Sequence, residues 1–262
     1  MRNTKKKSKP HSVDIFTGKR VRQLRQIKDW TERDLAKEIG VKYQQLQKYE
    51  SAANRISMSR LYLICEALGT TIPDFFTEFY SRQRKKGGAM KMKESAEAVK
   101  LAGLFFKISS EKHRHLYETG KSLVKIKRGN EGDATVTDKP ATNPNSHPVD
   151  IYVGRQIWQF RIITNMTQRQ LSEKTGVIQQ QIQKYEEATN RVSVSKLYLI
   201  CEAFGMSIPE FFADLYRKGK RKGITEMLES EEGTKLAGLF FKMSSGNRKH
   251  FIGFGKNLVE EG

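Results

Sequence analysis

The sequence predicts an all-α protein: two tandem five-helix domains, each followed by a helical hairpin. Three observations predict it. The 262-residue chain repeats itself, with residues 14–79 aligning to residues 150–215 at a constant offset of 136, without a gap and with 34 of 66 positions identical. Within each copy, apolar residues recur three and four positions apart, the period of a helix buried on one side. Between these stretches stand Thr or Ser where helices would start and Gly where they would stop. At roughly 100–200 residues per domain, the length suits two domains. The boundaries are a basic arm over 1–12, a first domain over 13–80, a connector with hairpin over 81–128 and a linker over 129–148. A second domain over 149–216 and a second connector with hairpin over 217–262 complete the chain.

The elements follow in order. Val21, Leu24 and Ile27 form the apolar stripe of a first helix ending near Asp29. Thr31 can cap a second helix, with Glu32 and Asp34 in its positively polarised first turn. That helix carries Leu35, Ala36 and Ile39 and stops at Gly40, a residue that tolerates the left-handed conformation closing a helix. A third runs over about Lys42–Glu50 with Leu46 and Tyr49 inward. Ser57 can cap a fourth, Met58–Leu68, ending at Gly69; Thr71-Ile-Pro-Asp74 opens a fifth, where Pro73 loses no helical bond. Thr167, Gly176, Ser193, Gly205 and Ser207-Ile-Pro-Glu210 repeat these signals in the second copy. Cys65 and Cys201 fall at the same place in the fourth helix of each copy, which reads as two core thiols and not a bridge.

The tails repeat as well: Leu101-Ala-Gly-Leu-Phe-Phe-Lys107 returns as Leu236–Lys242, offset by 135. Val99, Leu101, Leu104, Phe105 and Ile108 predict one apolar helix; Leu116, Gly120, Leu123 and Val124 predict another, matched by Phe251, Gly255, Leu258 and Val259. Hairpins this apolar need a partner, and association of tail with tail is the expectation, within one chain or between two. The linker over 129–148 holds Pro140, Pro144 and Pro148 without an apolar period and is expected to be flexible.

Charge narrows the function. There are 48 Lys and Arg against 29 Asp and Glu, a formal charge of +19, with Lys5, Lys6, Lys7 and Lys9 in the arm. Arg82–Lys93 carries six cations and no acid, and Arg217–Lys222 carries five. Such a balance suits a polyanion, because Lys and Arg release counterions condensed on phosphates. Mean hydropathy is −0.64 and 37% of residues are hydrophobic, low for one large globule and suited to small helical domains joined by solvated connectors. No 18-residue apolar span occurs and Met1–Pro10 has no signal-like apolar stretch, so neither a membrane nor a secreted protein is expected. Two cysteines cannot by themselves hold a structural zinc; no phosphate-cradling Gly loop or His-Glu-x-x-His is present, and His113 and His115 are spaced poorly for chelation. No enzyme, metal or cofactor is expected.

The functional signal lies at Thr31–Glu50 and Thr167–Glu186. Two short helices joined by a turn containing Gly describe a helix-turn-helix, whose second helix can lie in a DNA major groove. Its outward residues are Tyr43, Gln44, Gln45, Gln47 and Lys48, then Gln179, Gln180, Gln181, Gln183 and Lys184, acid-free until Glu50 and Glu186. Gln pairs bidentately with adenine N6/N7 and Lys reaches guanine O6/N7. Thr31-Glu-Arg-Asp-Leu-Ala-Lys-Glu-Ile-Gly-Val-Lys-Tyr-Gln-Gln-Leu-Gln-Lys-Tyr-Glu50 and its twin resemble the Cro/repressor (Xre-type) helix-turn-helix family.

The resemblance covers about half the chain. It implies lambda-repressor-like five-helix DNA-binding domains, transcriptional regulation of a bacterial or phage kind, and a cytoplasmic, nucleoid-associated location. By position it implies that Tyr43, Gln44, Lys48, Gln179, Gln180 and Lys184 read bases and that Gln168 touches phosphate. It also implies that Asn54, Arg55, Asn190 and Arg191 meet the DNA backbone, and that Arg25–Glu50 and Arg161–Glu186 form ion pairs inside the domains. Departures are Glu32 where the family prefers Gln, Lys42 and Ile178 where it prefers a capping Ser or Thr, and Ser172 for a small apolar residue. The second copy is therefore the more typical reader. Half-sites of paired modules lie about 34–36 Å apart, and a 20-residue linker spans roughly 25 Å on average and about 70 Å extended. The expectation is one chain on two imperfectly matched half-sites of double-stranded DNA. The alternatives are an antitoxin-like protein-interaction module working through the tails, and a DNA-coating protein of low sequence preference.

Overall fold

The computed structural model describes residues 9–84, 96–124, 140–164, 166–216 and 224–260. Lys5–Lys7, Lys85, Lys86, the second basic connector from Arg217 to Lys222 and the linker over 129–139 lie outside the described residues. Among the described residues the chain is helical, and no helix is long and apolar enough to cross a membrane. The helices are α1 (Ser12–Ile27), α2 (Glu32–Glu38), α3 (Tyr43–Glu50), α4 (Met58–Leu68), α5 (Ile72–Arg84), α6 (Ala96–Phe105) and α7 (Ser110–Leu123). The second copy gives α8 (Pro148–Ile163), α9 (Gln168–Thr175), α10 (Gln179–Glu186), α11 (Val194–Phe204), α12 (Ile208–Phe211), α13 (Ile224–Met227), α14 (Glu231–Lys242) and α15 (Ser245–Glu260).

Two compact units form, and they do not follow the repeat boundaries. The first takes residues 1–90, 145–153 and 190–216; the second takes 91–144, 154–189 and 217–262. In the first unit, α1–α5 enclose Val21, Leu35, Leu46, Leu61, Ile64, Phe75 and Phe76, all fully buried. Phe16 of α1 stacks on Phe76 and meets the edge of Phe75, locking α1 to α5. The stop signals act as local chemistry predicts. The Thr31 hydroxyl accepts from the Asp34 N–H while the Asp34 carboxylate accepts from the Thr31 N–H, a capping box. Ser57 caps α4, which ends at Gly69 in the left-handed region with φ 71°. Gly18 lets α1 lie on α3: a Cβ there would sit 2.5 Å from the Tyr49 carbonyl oxygen.

The same unit joins the first copy to the α11–α12 segment of the second by reciprocal contacts. The Met58 N–H donates to the Val192 carbonyl at 2.8 Å and the Val194 N–H to the Ile56 carbonyl at 2.9 Å, an antiparallel bridge centred on Ser57 and Ser193. The Tyr80 hydroxyl accepts from the Ile208 N–H at 3.1 Å, and the Tyr216 hydroxyl from the Ile72 N–H at 3.4 Å. His11 packs on Tyr198, and His147 on Tyr62. Each contact maps onto its twin through the offset of 136, so this surface has local twofold character. Burial pushes the Tyr216 phenol up to about 12 and Tyr80 higher still, so both stay protonated partners.

In the second unit the two hairpins pack on one another. Lys112 Nζ donates to the Leu258 carbonyl and Asn247 Nδ2 to the Leu123 carbonyl, each at 2.7 Å, again a reciprocal pair. Glycines permit the approach: a Cβ on Gly120 would meet Phe251 at 3.0 Å, and one on Gly255 would meet Leu104 at 3.0 Å. Leu101, Leu116, Leu236, Phe240 and Phe251 are buried there. Helix α6 stops at Phe105, short of the Ile108 predicted as part of its stripe; Ile108 is buried in the following turn, its N–H bonded to the Leu104 carbonyl. The fifth helix also differs between copies. It has thirteen residues in α5 and four in α12, where the Ala213 and Leu215 N–H groups bond three residues back and tighten the chain into turns.

Candidate nucleic-acid interface

Two helix-turn-helix elements present the polar faces read from the sequence. In the first, Leu35 and Ala36 of α2 and Leu46 of α3 face inward. Tyr43, Gln44, Gln47 and Lys48 are exposed, and Gln45 is half-buried within reach of Asn54 Nδ2 at 3.4 Å. In the second, Leu171 and Ile182 are buried while Gln179, Gln180, Gln183 and Lys184 are exposed and Gln181 is half-buried. Neither Lys42 nor Ile178, the N-cap residues of α3 and α10, makes a side-chain capping bond.

Each element is braced by a bidentate ion pair. Arg25 Nε and Nη2 donate to Glu50 at 2.7 and 2.9 Å, and Arg161 does the same to Glu186 at 2.7 and 3.0 Å. The third guanidinium corner bonds the Trp30 carbonyl in one copy and the Met166 carbonyl in the other, pinning the chain that enters the motif. The bond to Glu50 holds the Arg25 guanidinium charged, above its ordinary range. Gln168 points into this network, its amide donating to Glu186 at 2.8 Å. Glu32, its counterpart, instead accepts from Gln47 Nε2 at 2.6 Å, so an acid ties down one residue of the exposed face of α3. Arg33 lies over the Tyr43 ring at 5.5 Å.

The loops after α3 and α10 carry Asn54–Arg55 and Asn190–Arg191. All four are exposed, and each Arg leans on the aspartate opening its copy's first helix. Arg55 Nε lies 3.8 Å from Asp14, and Arg191 Nε lies 3.6 Å from Asp150. The carboxylates are buried, and Asp14 Oδ1, Asp14 Oδ2 and Asp150 Oδ1 have no hydrogen-bond partner. Sequence reasoning missed these aspartates; their identity across both copies was the available signal, obscured because an acid at a helix start reads as a dipole effect. Among the described residues no group of His, Cys, Asp and Glu is arranged to hold a metal. His113 stacks flat on Phe105 and bonds its carbonyl, closing the first hairpin as Arg248 closes the second. Burial raises both thiols, Cys65 and Cys201, so they remain neutral core groups.

A family model described as helix-turn-helix matches residues 21–75 and 159–211, covering both elements just described. An HTH-type transcriptional regulator of Sinorhizobium medicae is 34% identical over 127 residues, which make up 91% of that relative and 44% of this chain. The chain belongs to the Xre-type helix-turn-helix family. A second member of the family, an HTH-type transcriptional regulator of Sinorhizobium fredii, is 42% identical over 122 residues, 85% of the relative and 42% of this chain. A transcriptional regulator in the ATPase CF(0) region of Rhodospirillum rubrum is 50% identical over 68 residues, 63% of its length and 26% of this chain. No solved structure matches. The match thus spans nearly all of the Sinorhizobium medicae relative and less than half of this helix-turn-helix protein.

Proposed function

We propose that the chain binds double-stranded DNA with sequence preference and regulates transcription, its two helix-turn-helix domains addressing paired half-sites as one covalent unit. The observation that carries the reading is the reciprocal bonding of the two copies: the Ser57–Ser193 bridge and the Tyr80–Ile208 and Tyr216–Ile72 hydrogen bonds tie one copy to the other within a single chain. The family's reading helices occur twice, both with acid-free exposed faces of Gln and Lys suited to adenine and guanine edges in the major groove. A net charge of +19 supplies the phosphate attraction, and the exposed Arg55 and Arg191 follow the reading helices where a backbone would run. Because Lys42-Tyr43 stands where the second copy has Ile178-Gln179, the half-sites are related but unequal. Tail-to-tail packing serves the same end, joining the hairpin of one copy to that of the other.

Selection of bound duplexes from a random pool at near-physiological salt tests the proposal. Enrichment of two related half-sites about one helical turn apart supports it. Tight, salt-sensitive binding without enrichment would leave a sequence-indifferent DNA coat in its place.

A further inference from the structure

Among the exposed side chains of the two proposed reading faces, Tyr43 keeps a polar hydroxyl on its ring, whereas Ile178 has no polar atom at all. Ile178 is 65% exposed, at the head of α10. The fold does not account for it. Its neighbour Val177 fills the core position of the turn, and Ile178 packs into nothing comparable. As an N-cap it contributes no side-chain bond, although Ser, Thr, Asp or Asn there would satisfy an N–H that Ile leaves to solvent. The first residues of such a helix are the ones that approach base edges, and the apolar group a major groove offers is the C5-methyl of thymine. Gln179 and Gln180, exposed beside it, carry the amides that pair with adenine.

We propose that Ile178 reads the C5-methyl group of a thymine in the half-site bound by the second copy. The inference rests on the DNA-binding reading above and adds a residue-level determinant to it. In the first copy Lys42 takes the same position, exposed and charged, so that copy lacks the methyl contact and its half-site carries no thymine requirement there. The two domains thereby distinguish the ends of their site, and one chain binds in one orientation.

The test uses the full chain on its enriched duplex, with each thymine replaced in turn by deoxyuridine, which removes the methyl and leaves pairing intact. At one thymine in one half-site the wild-type Kd should rise roughly three- to fivefold, the scale of one methyl group withdrawn from an apolar contact. Ile178→Ala should bind the unmodified duplex weaker by a similar factor and should no longer respond to that deoxyuridine. Its thermal unfolding should match wild type because the side chain is exposed. Installing 5-methylcytosine at each cytosine separates the sources of the methyl: a gain there that depends on Ile178, with indifference to deoxyuridine, overturns the assignment to thymine. Equal deoxyuridine effects in wild type and Ile178→Ala, or none at any thymine, overturn the role of Ile178 while leaving the reader intact. Failure to enrich any sequence overturns both.

Discussion

A guanidinium and a carboxylate withdrawn from water offset that cost only while both are present, and Arg161 with Glu186 is such a pair. Glu186 is 1% exposed and takes donors from Arg161 Nε, Arg161 Nη2 and Gln168. Arg161→Ala should therefore destabilise the protein by about 3–5 kcal/mol, chiefly by stranding a buried carboxylate. The shift of the urea transition reads this, and a change below about 1 kcal/mol would mean that the pair is effectively solvated. Asp150 behaves in the opposite sense. Desolvation raises its carboxyl, against weaker lowering by Ser59 and Arg191. The folded state then holds the proton more tightly than the unfolded one, so stability declines as pH rises from about 4, the ordinary carboxyl value, through the raised one. Asp150→Asn should consequently be more stable than wild type at pH 7, with the gap closing as pH approaches 4. Thermal melts across that range give the sign, and a variant less stable at pH 7 would show that the Arg191 contact outweighs burial.

Among the elements, α3 and α10 are held more by tertiary contacts than by their own ends. Both have eight residues and no side-chain cap, short for autonomous helices, and each is braced by its ion pair and by a glycine-permitted contact. Gly154 repeats the role of Gly18, since a Cβ there would come within 2.3 Å of the Tyr185 carbonyl oxygen. Lys42→Ser supplies the missing cap to α3 and should raise stability by roughly 1 kcal/mol, seen as a higher melting temperature with an unchanged helical signal. No rise would mean that the N–H groups at the head of α3 are already satisfied by solvent. Caps and glycines are also why these elements were legible in the sequence: Thr31, Ser57, Gly69, Thr167, Ser193 and Gly205 announce local bonds needing only neighbouring residues. Where helix ends depend on distant packing, the signal fails. Ile108 keeps the apolar period of α6 yet lies in a turn, and Ser207-Ile-Pro-Glu210 looks like Thr71-Ile-Pro-Asp74 yet starts a helix of four residues instead of thirteen.

Across the whole molecule, duplication places both sides of the reciprocal contacts in one chain. The repeat itself was plain in the sequence, but the pairing was not. The bonds at Met58, Ile56, Val192 and Val194 are backbone to backbone between residues 134 and 138 positions apart, and backbone bonds leave no mark on side-chain identity. Tyr80 and Tyr216 offered one faint clue, a polar tip on an otherwise apolar, half-buried ring. Of the candidate interface, the sequence displayed the Gln and Lys faces because exposure follows from helical period. It concealed the engagement of Gln47 by Glu32 and of Gln168 by Glu186, which depend on which neighbour each flexible amide meets. Under the proposed function, covalent linkage would give the second domain an effective concentration up to the mM range once the first is bound, and the difference between Lys42-Tyr43 and Ile178-Gln179 would make the preferred site asymmetric. In the proposed function one chain suffices for a whole site. The most direct test is the mass of the protein–DNA complex by sedimentation on the selected duplex, with protein in excess at micromolar concentration. One 30.1 kDa chain per duplex, protecting both half-sites, is the expected result. Two chains per duplex, each protecting one half-site, would contradict it.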